Sequence, residues 1–394
     1  MARETLLSKR VAQIPASLTL SITSKAKEMR GKGLDVINFG AGEPDFDTPA
    51  NIKQAAIQAI KKGFTKYTPS CGTAELKKAI SEKLKSENSL DYDPSQIIVS
   101  CGAKHSIYNI IQAVCSEQDE VIIPAPYWLS YPEMVKLALA RPVFAPTFRE
   151  NGFKVTKEAL EAAISDRTKV FILNSPSNPT GAVCGLDELK LICELAVKHD
   201  FLVVSDEIYE QLIYDNKKHV SIAALGRAIY DRTIVVNGVS KAYSMTGWRI
   251  GYAAGPAPII KGISNLQSHS TSNPCSISQM AALSALTDDA SGPFVEKMRA
   301  EFQERRNYLC SRLDSIKGLS CAKPEGAFYV FADISQLRLD SITLANLLLE
   351  ESLVAVVPGA AFGDDKYVRL SFATSMDNIK KGMDRLEAWV DKRL

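Results

Sequence analysis

Apolar, β-branched runs bounded by turn residues recur along the chain at 96–100, 120–124, 169–174, 201–205, 233–237 and 250–254, and amphipathic segments separate most of them. Strands alternating with helices in this way predict an α/β protein with a mostly parallel central sheet. The helical segments carry the expected apolar stripe. Over 74–86, Leu76, Ile80 and Leu84 fall on one face; over 49–62, Thr48 reads as the N-cap and Pro49 as the first helical residue. After about residue 290 the texture changes to a long charged helix over 294–316, then short strands near 328–333, 354–357 and 368–372. That reads as a smaller α+β unit. We therefore expect a large domain over 46–290 and a small domain over 291–394, with residues 1–45 joining the small one. The crevice between them is the default ligand site. No internal repeat or low-complexity tether interrupts the chain.

Composition narrows the function classes. The 394 residues are 46% hydrophobic and 23% charged, and the net charge of +2 comes from acids and bases spread along the chain. No basic face for nucleic acid or an anionic membrane is implied, so small molecules are the expected partners. No apolar run approaches the roughly 18 residues of a membrane span, and residues 1–17 lack a signal-peptide core, so a cytoplasmic location is expected. Cysteines at 71, 101, 115, 184, 193, 275, 310 and 321 form no CxxC pair and sit mostly inside apolar stretches. They read as reduced core thiols, with no disulfide framework and no metal site expected.

In open parallel sheets ligands gather beyond the carboxyl ends of the strands, so the polar residues that follow each apolar run are the candidates for chemistry. The run ending at 237 leads into Gly238-Val239-Ser240-Lys241, with Arg249 eight positions beyond the lysine. An amine at a strand end, near a bidentate arginine suited to phosphate, fits a cofactor that carries both an aldehyde and a phosphate. Pyridoxal 5'-phosphate is such a cofactor. Ser100-Cys101-Gly102-Ala103-Lys104 is a small-residue turn opening a helix; alone it fits a structural loop as well as a phosphate site. Trp128 follows the 120–124 run, where it could stack on a cofactor ring or serve as core. Asn178 lies between Pro176 and Pro179, which would present it rigidly. Asp206 and Tyr209 follow the 201–205 run; a carboxylate there could keep a pyridine nitrogen protonated, and one of Asp206 and Glu207 could instead cap the next helix.

The wording Ser-Lys-Ala-x-x-Met-Thr-Gly-Trp-Arg-x-Gly, together with Asn-Pro-Thr-Gly at 178–181, resembles the class I/II aminotransferases of the fold-type I pyridoxal-phosphate enzymes. The resemblance covers about residues 38–375. It implies an α/β fold-type I transferase acting on amino acids and 2-oxo acids. Lys241 would be the Schiff-base lysine and proton shuttle, and Arg249 the phosphate clamp. Asp206, Tyr209, Asn178 and Trp128 would meet the pyridine nitrogen, the phenolic oxygen and the ring face. Gly102, Ala103 and Lys104 fall in the phosphate turn. Tyr67 looks like a tyrosine that reaches the phosphate of the other subunit, implying a homodimer with shared sites. Arg369, in Val368-Arg369-Leu370-Ser371-Phe372, resembles the arginine that takes the substrate α-carboxylate, with Gly42 as a backbone contact beside it.

Longer matches, such as Ala-Gly-Glu-Pro-Asp-Phe at 41–46 and Ser-Asp-Glu-Ile-Tyr-Glu at 205–210, are closest to the bacterial subgroup Ib aspartate aminotransferases, some of which also use prephenate. The resemblance implies that Lys104 meets the distal carboxylate of aspartate or glutamate, while prephenate, aromatic or alanine-type substrates are the alternative. Two departures matter. Pro15 stands where prephenate users tend to carry a basic residue, and Gly238 where many relatives carry a phosphate-binding serine. Ser240 is not expected to replace that serine. A dinucleotide enzyme is expected to show GxGxxG after its first strand, and the 100–104 turn does not supply it.

Overall fold

A computed structural model of the chain describes residues 6–16 and 18–393. Residues 1–5 of the expected N-terminal segment and Ser17, just beyond Pro15, lie outside the described residues. The centre of the fold is a seven-stranded sheet in the order Ile97–Ser100, Gly251–Ala254, Thr233–Gly238, Leu202–Asp206, Thr168–Asn174, Glu120–Ala125, Arg141–Pro146. All neighbours are parallel except Gly251–Ala254, which runs antiparallel to both of its own. The strands read as continuous apolar runs because both faces are covered. Ile97 and Val99 enter a core with helices Ala50–Lys61, Ala74–Asn88 and Ser276–Thr287, whereas Ile98 enters the opposite core with Ala103–Val114 and Ala257–Ser268. Leu76, Ile80 and Leu84, the stripe expected on one helix face, are fully buried there.

A second, four-stranded antiparallel sheet has the order Val357–Pro358, Tyr367–Ser371, Tyr329–Asp333, Ser320–Cys321. The long helix Ser291–Ser315 and the C-terminal helix Met376–Asp391 cover it through Phe302, Leu309, Leu313, Ile379 and Leu386. The N-terminal part of the chain is tied in by a two-residue strand, Ile37–Asn38, parallel to Val354–Ala355. Among the described residues no helix is long and apolar enough to cross a membrane.

The structure departs from expectation in four places. Arg141–Pro146 is a sheet-edge strand that the pattern did not disclose; only one of its six residues is buried, so it lacks a continuous apolar signature. The 354–357 run is two short strands serving different sheets. Thr48 does not cap the next helix, which begins at Ala50 after Pro49; its hydroxyl instead donates to the Ser244 carbonyl at 2.6 Å and accepts from Trp248 Nε1 at 3.0 Å. Of the eight cysteines only Cys115, Cys310 and Cys321 are buried, Cys275 is exposed, and all are free.

Gly382 shows how closely the C-terminal helix approaches the N-terminal strand. A Cβ there would lie 2.5 Å from the Phe39 ring and 2.9 Å from the Ile37 side chain. Gly382→Ala is therefore expected to destabilise the protein by about 1–3 kcal/mol in urea unfolding, despite the better helix propensity of alanine; an unchanged midpoint would show that the helix moves away freely.

Candidate active site

Five parallel or mixed strands end beside a cavity of about 460 Å³, to which the 40–43 loop and the second sheet add a wall. Four of its lining residues are cations, Lys104, Lys241, Arg249 and Arg369, against two carboxylates, Glu43 and Asp206. Among the described residues none of these four cations is ion-paired with a carboxylate. Lys241 Nζ donates to the Gly42 carbonyl at 2.6 Å and lies 5.8 Å above the Tyr209 ring and 5.7 Å above that of Phe328. Burial lowers its pKa to about 8, Arg369 and Arg249 pushing the same way and Glu43 and Asp206 opposing. Above about pH 8 the amine is neutral, as a nucleophile or base must be.

Asp206 ends its strand with its side chain buried. Tyr131 Oη donates to Oδ2 at 2.7 Å and the Ile208 backbone N–H to Oδ1 at 3.3 Å. Burial raises its pKa to about 6 in spite of both donors. Tyr209 is hydrogen-bonded through its hydroxyl to that of Tyr329 at 3.0 Å, and burial keeps both phenols neutral.

Arg369 sits mid-strand with only 3% of its surface exposed. Its Nη1 donates to Asn178 Oδ1 at 2.9 Å and Nη2 to the Gly40 carbonyl at 3.1 Å, while Nε has no partner. The guanidinium also lies 4.2 Å from the Tyr329 ring centre. A buried guanidinium held only by neutral acceptors is a receiver for a carboxylate. On the helix that follows the first strand of the central sheet, Lys104 Nζ lies 4.7 Å over the Trp128 ring, and burial, with Arg249 beside it, lowers its pKa. Arg249 adopts φ 57° and donates from Nη1 to the Thr246 carbonyl at 2.8 Å. Gly102 precedes the helix Ala103–Val114 at φ 93°, where a Cβ would lie 2.5 Å from Arg249 Nη2. Only glycine lets the helix N-terminus and the guanidinium face one point, the arrangement that suits a phosphate.

Ten of the residues singled out from sequence line the one cavity: Gly42, Ala103, Lys104, Trp128, Asn178, Asp206, Tyr209, Lys241, Arg249 and Arg369. Gly102 backs it through Arg249. Tyr67 does not reach it and is 91% exposed. Ser240 lines the cavity just after the strand ends at Gly238; residues two apart on an extended segment share a face, so alternation gave no ground for setting it aside. Gly238 is shut in, since a Cβ would lie 2.9 Å from the Gly251 Cα. Tyr131, Tyr329 and Asn174 were not found from sequence. Tyr329 reads as an ordinary strand residue and Tyr131 sits inside a short helix, so neither carries a local signal.

The model of the class I and II aminotransferases matches residues 34–386. The chain belongs to that family. It is 51% identical over 391 residues to an aspartate aminotransferase of Bacillus subtilis, covering 98% of this chain and 99% of that protein. An aspartate/prephenate aminotransferase of Nitrosomonas europaea is 48% identical over 394 residues, covering 96% and 98%. Among solved structures, the Thermus thermophilus aspartate aminotransferase with maleate superposes with a TM-score of 0.94 at 45% identity, covering 97% of this chain and 99% of that one.

The protein is thus a transaminase of fold type I that uses pyridoxal 5'-phosphate. The residues present fit that group: a neutralisable amine, a buried carboxylate, an aromatic wall and a Cβ-free turn facing a guanidinium. Gly102→Ala imposes both a positive φ and a contact with Arg249. That is about 1–3 kcal/mol of strain, so cofactor affinity measured by titration of the apoenzyme is expected to fall about tenfold or more; full affinity would remove the turn from the phosphate site.

Proposed function

We propose that the chain is a homodimeric, cytoplasmic aspartate aminotransferase that interconverts L-aspartate and 2-oxoglutarate with oxaloacetate and L-glutamate. The observation that carries this reading is the pair of cations that two different sheets bring to one cavity, Arg369 and Lys104, neither in an ion pair with a carboxylate among the described residues. A dicarboxylate substrate answers both. A monocarboxylate leaves Lys104 desolvated without a partner, which is costly. The names of the Bacillus and Thermus relatives agree with this assignment.

The roles follow from the positions. Arg369, oriented by Asn178, takes the α-carboxylate, and Lys104 the distal one, with Gly42 beside the first. Gly102, Ala103, Ser240 and Arg249 hold the phosphate, and Trp128 covers the ring. Bound pyridoxal 5'-phosphate supplies the aldehyde that accepts the amino group and a ring that draws electrons from the bond broken at the substrate α-carbon. Asp206 keeps the pyridine nitrogen charged, and Tyr131 holds that carboxylate in place. Tyr209 donates to the phenolic oxygen. Lys241 anchors the cofactor and, once displaced as a neutral amine, takes the α-proton at Nζ and returns it. Tyr67, exposed and away from its own cavity, serves the partner subunit's phosphate. The expected division into a large unit over 46–290 and a small one over 291–394, with 1–45 attached, would let the two walls close on substrate. Eight free cysteines accord with a reducing compartment.

The Nitrosomonas relative raises prephenate as an acceptor. An adjoining cavity of about 870 Å³ shares Lys104, Leu129 and Arg249 with the first and offers room for a larger acid, but the side chain that Pro15 brings to its wall is not basic. Aspartate is the reading we favour.

Two measurements test it. L-aspartate is expected to bleach the visible absorbance of the bound cofactor and 2-oxoglutarate to restore it, while L-alanine and L-phenylalanine react far more slowly; the reverse order sinks the assignment. Lys104→Ala is expected to lower kcat/KM for aspartate by about 10–100-fold, as for the loss of a charge-assisted bond, while leaving alanine within about threefold.

A further inference from the structure

Behind the cavity wall lies a second site of buried charge, built on the residues that alternate with the chemical ones. Asp206 and Tyr209 line the cavity, whereas Glu207 and Glu210 turn away from it. Glu210 accepts from Lys83 Nζ, from Asn237 Nδ2 at 2.7 Å and from Asn88 Nδ2 at 2.6 Å. Glu207 accepts from the hydroxyls of Ser205 at 2.9 Å and Ser221 at 2.7 Å, and its other oxygen lies 3.0 Å from His219 Nε2. All four charged side chains are deeply buried, at 6% exposure for Lys83, 7% for Glu210, 1% for Glu207 and 10% for His219.

The two acids are balanced differently. Glu210 has a lysine, which Glu87 also approaches at 3.4 Å. Glu207 has two hydroxyl donors and, in contact with it, one group able to bring positive charge, His219; the Lys83 charge acts on it from farther off. Burial opposes protonation of His219, but Glu207 and then Glu210 outweigh it and the nearby Lys83, leaving its pKa raised. The phenols facing the cluster, Tyr92, Tyr243 and Tyr252, are kept neutral by burial. Glu207 is also the chain neighbour of Asp206 and pushes the Asp206 carboxyl toward its protonated form. A cation opposite Glu207 cancels that push; a neutral group does not.

We propose that His219, through its charge contact with Glu207, is a positioning residue for Asp206 and governs how far into acid the protein keeps its grip on pyridoxal 5'-phosphate. This rests on the reading that Asp206 faces the pyridine nitrogen. With His219 charged, Asp206 stays ionised to lower pH than it otherwise would, and binding holds correspondingly further into acid. With the charge gone, Asp206 gains a proton at higher pH and no longer favours the charged pyridine, so affinity falls sooner.

The test is the dissociation constant of the apoenzyme for pyridoxal 5'-phosphate, measured by absorbance titration between about pH 5 and pH 8. Asp206→Asn defines the share of the pH dependence that belongs to Asp206. In His219→Gln the acid limit of that share is expected to move up by about half a pH unit or more. The double variant Glu207→Gln/His219→Gln, which removes both charges, is expected to return it to the wild-type value, and Glu207→Gln alone not to raise it. If Asp206→Asn leaves the profile unchanged, the Asp206 reading itself fails. If Asp206→Asn flattens it but His219→Gln matches wild type, or the double variant shifts as far as the single one, the His219 proposal is overturned while the Asp206 reading stands. Should His219→Gln not fold, a rise of the limit in Glu207→Gln alone overturns the proposal.

Discussion

The structure turns on the desolvation of charge at the carboxyl ends of one sheet. Lys104, Lys241, Arg249 and Arg369 face a common cavity, and among the described residues no carboxylate is in ion-pair contact with any of them. Left so, the arrangement is costly, and its two visible effects are a lysine pulled down to about 8 and a guanidinium with an unpartnered Nε. Both make sense if the cavity is built for anions that arrive with the cofactor and the substrate. The binding energy of those anions then relieves a strain that folding has already placed there.

Holding four cations together requires a frame that does not relax. The sheet supplies it, because its strands are buried on both faces and alternate residues anchor in opposite cores. Glycine at 102, 238 and 251 sets the closest approaches: at each, a Cβ would meet neighbouring atoms at 2.9 Å or less. On the far side, the Glu210 carboxylate links helix Ala74–Asn88 to Asn237, four residues before Lys241, so the strand that leads to the amine and the turn that follows Asp206 share one buried anchor. The second sheet contributes Tyr329 and Arg369 from neighbouring strands; Tyr329 pairs with Ser371 and Arg369 with Phe331, so the two are offset by two residues and share a face.

Much of this was legible in the sequence because the chemistry-bearing residues follow strands that are continuous apolar runs, and strand ends in such sheets converge. Asn178, Asp206, Lys241 and Arg249 were found in that way. What escaped was of two kinds. Edge strand Arg141–Pro146 is half exposed and has neither alternation nor a run. Tyr131 and Tyr329 support the catalytic groups from elements whose local pattern is fully explained by packing, so only tertiary contact reveals the hydroxyls on Asp206 and Tyr209. Ser240 was set aside although residues two apart on an extended segment share a face, and Thr48 was misread because a capping residue type was taken without the competing hydrogen bonds to Ser244 and Trp248.

The chemistry of the cavity rests on the amine of Lys241. The rate at which an amine-reactive reagent labels Lys241 in the apoenzyme, resolved by peptide mass spectrometry across pH, reports its titration directly. A midpoint at about 8 is the result the desolvated, cation-lined cavity predicts; a midpoint at the ordinary lysine value of 10.5 would contradict it.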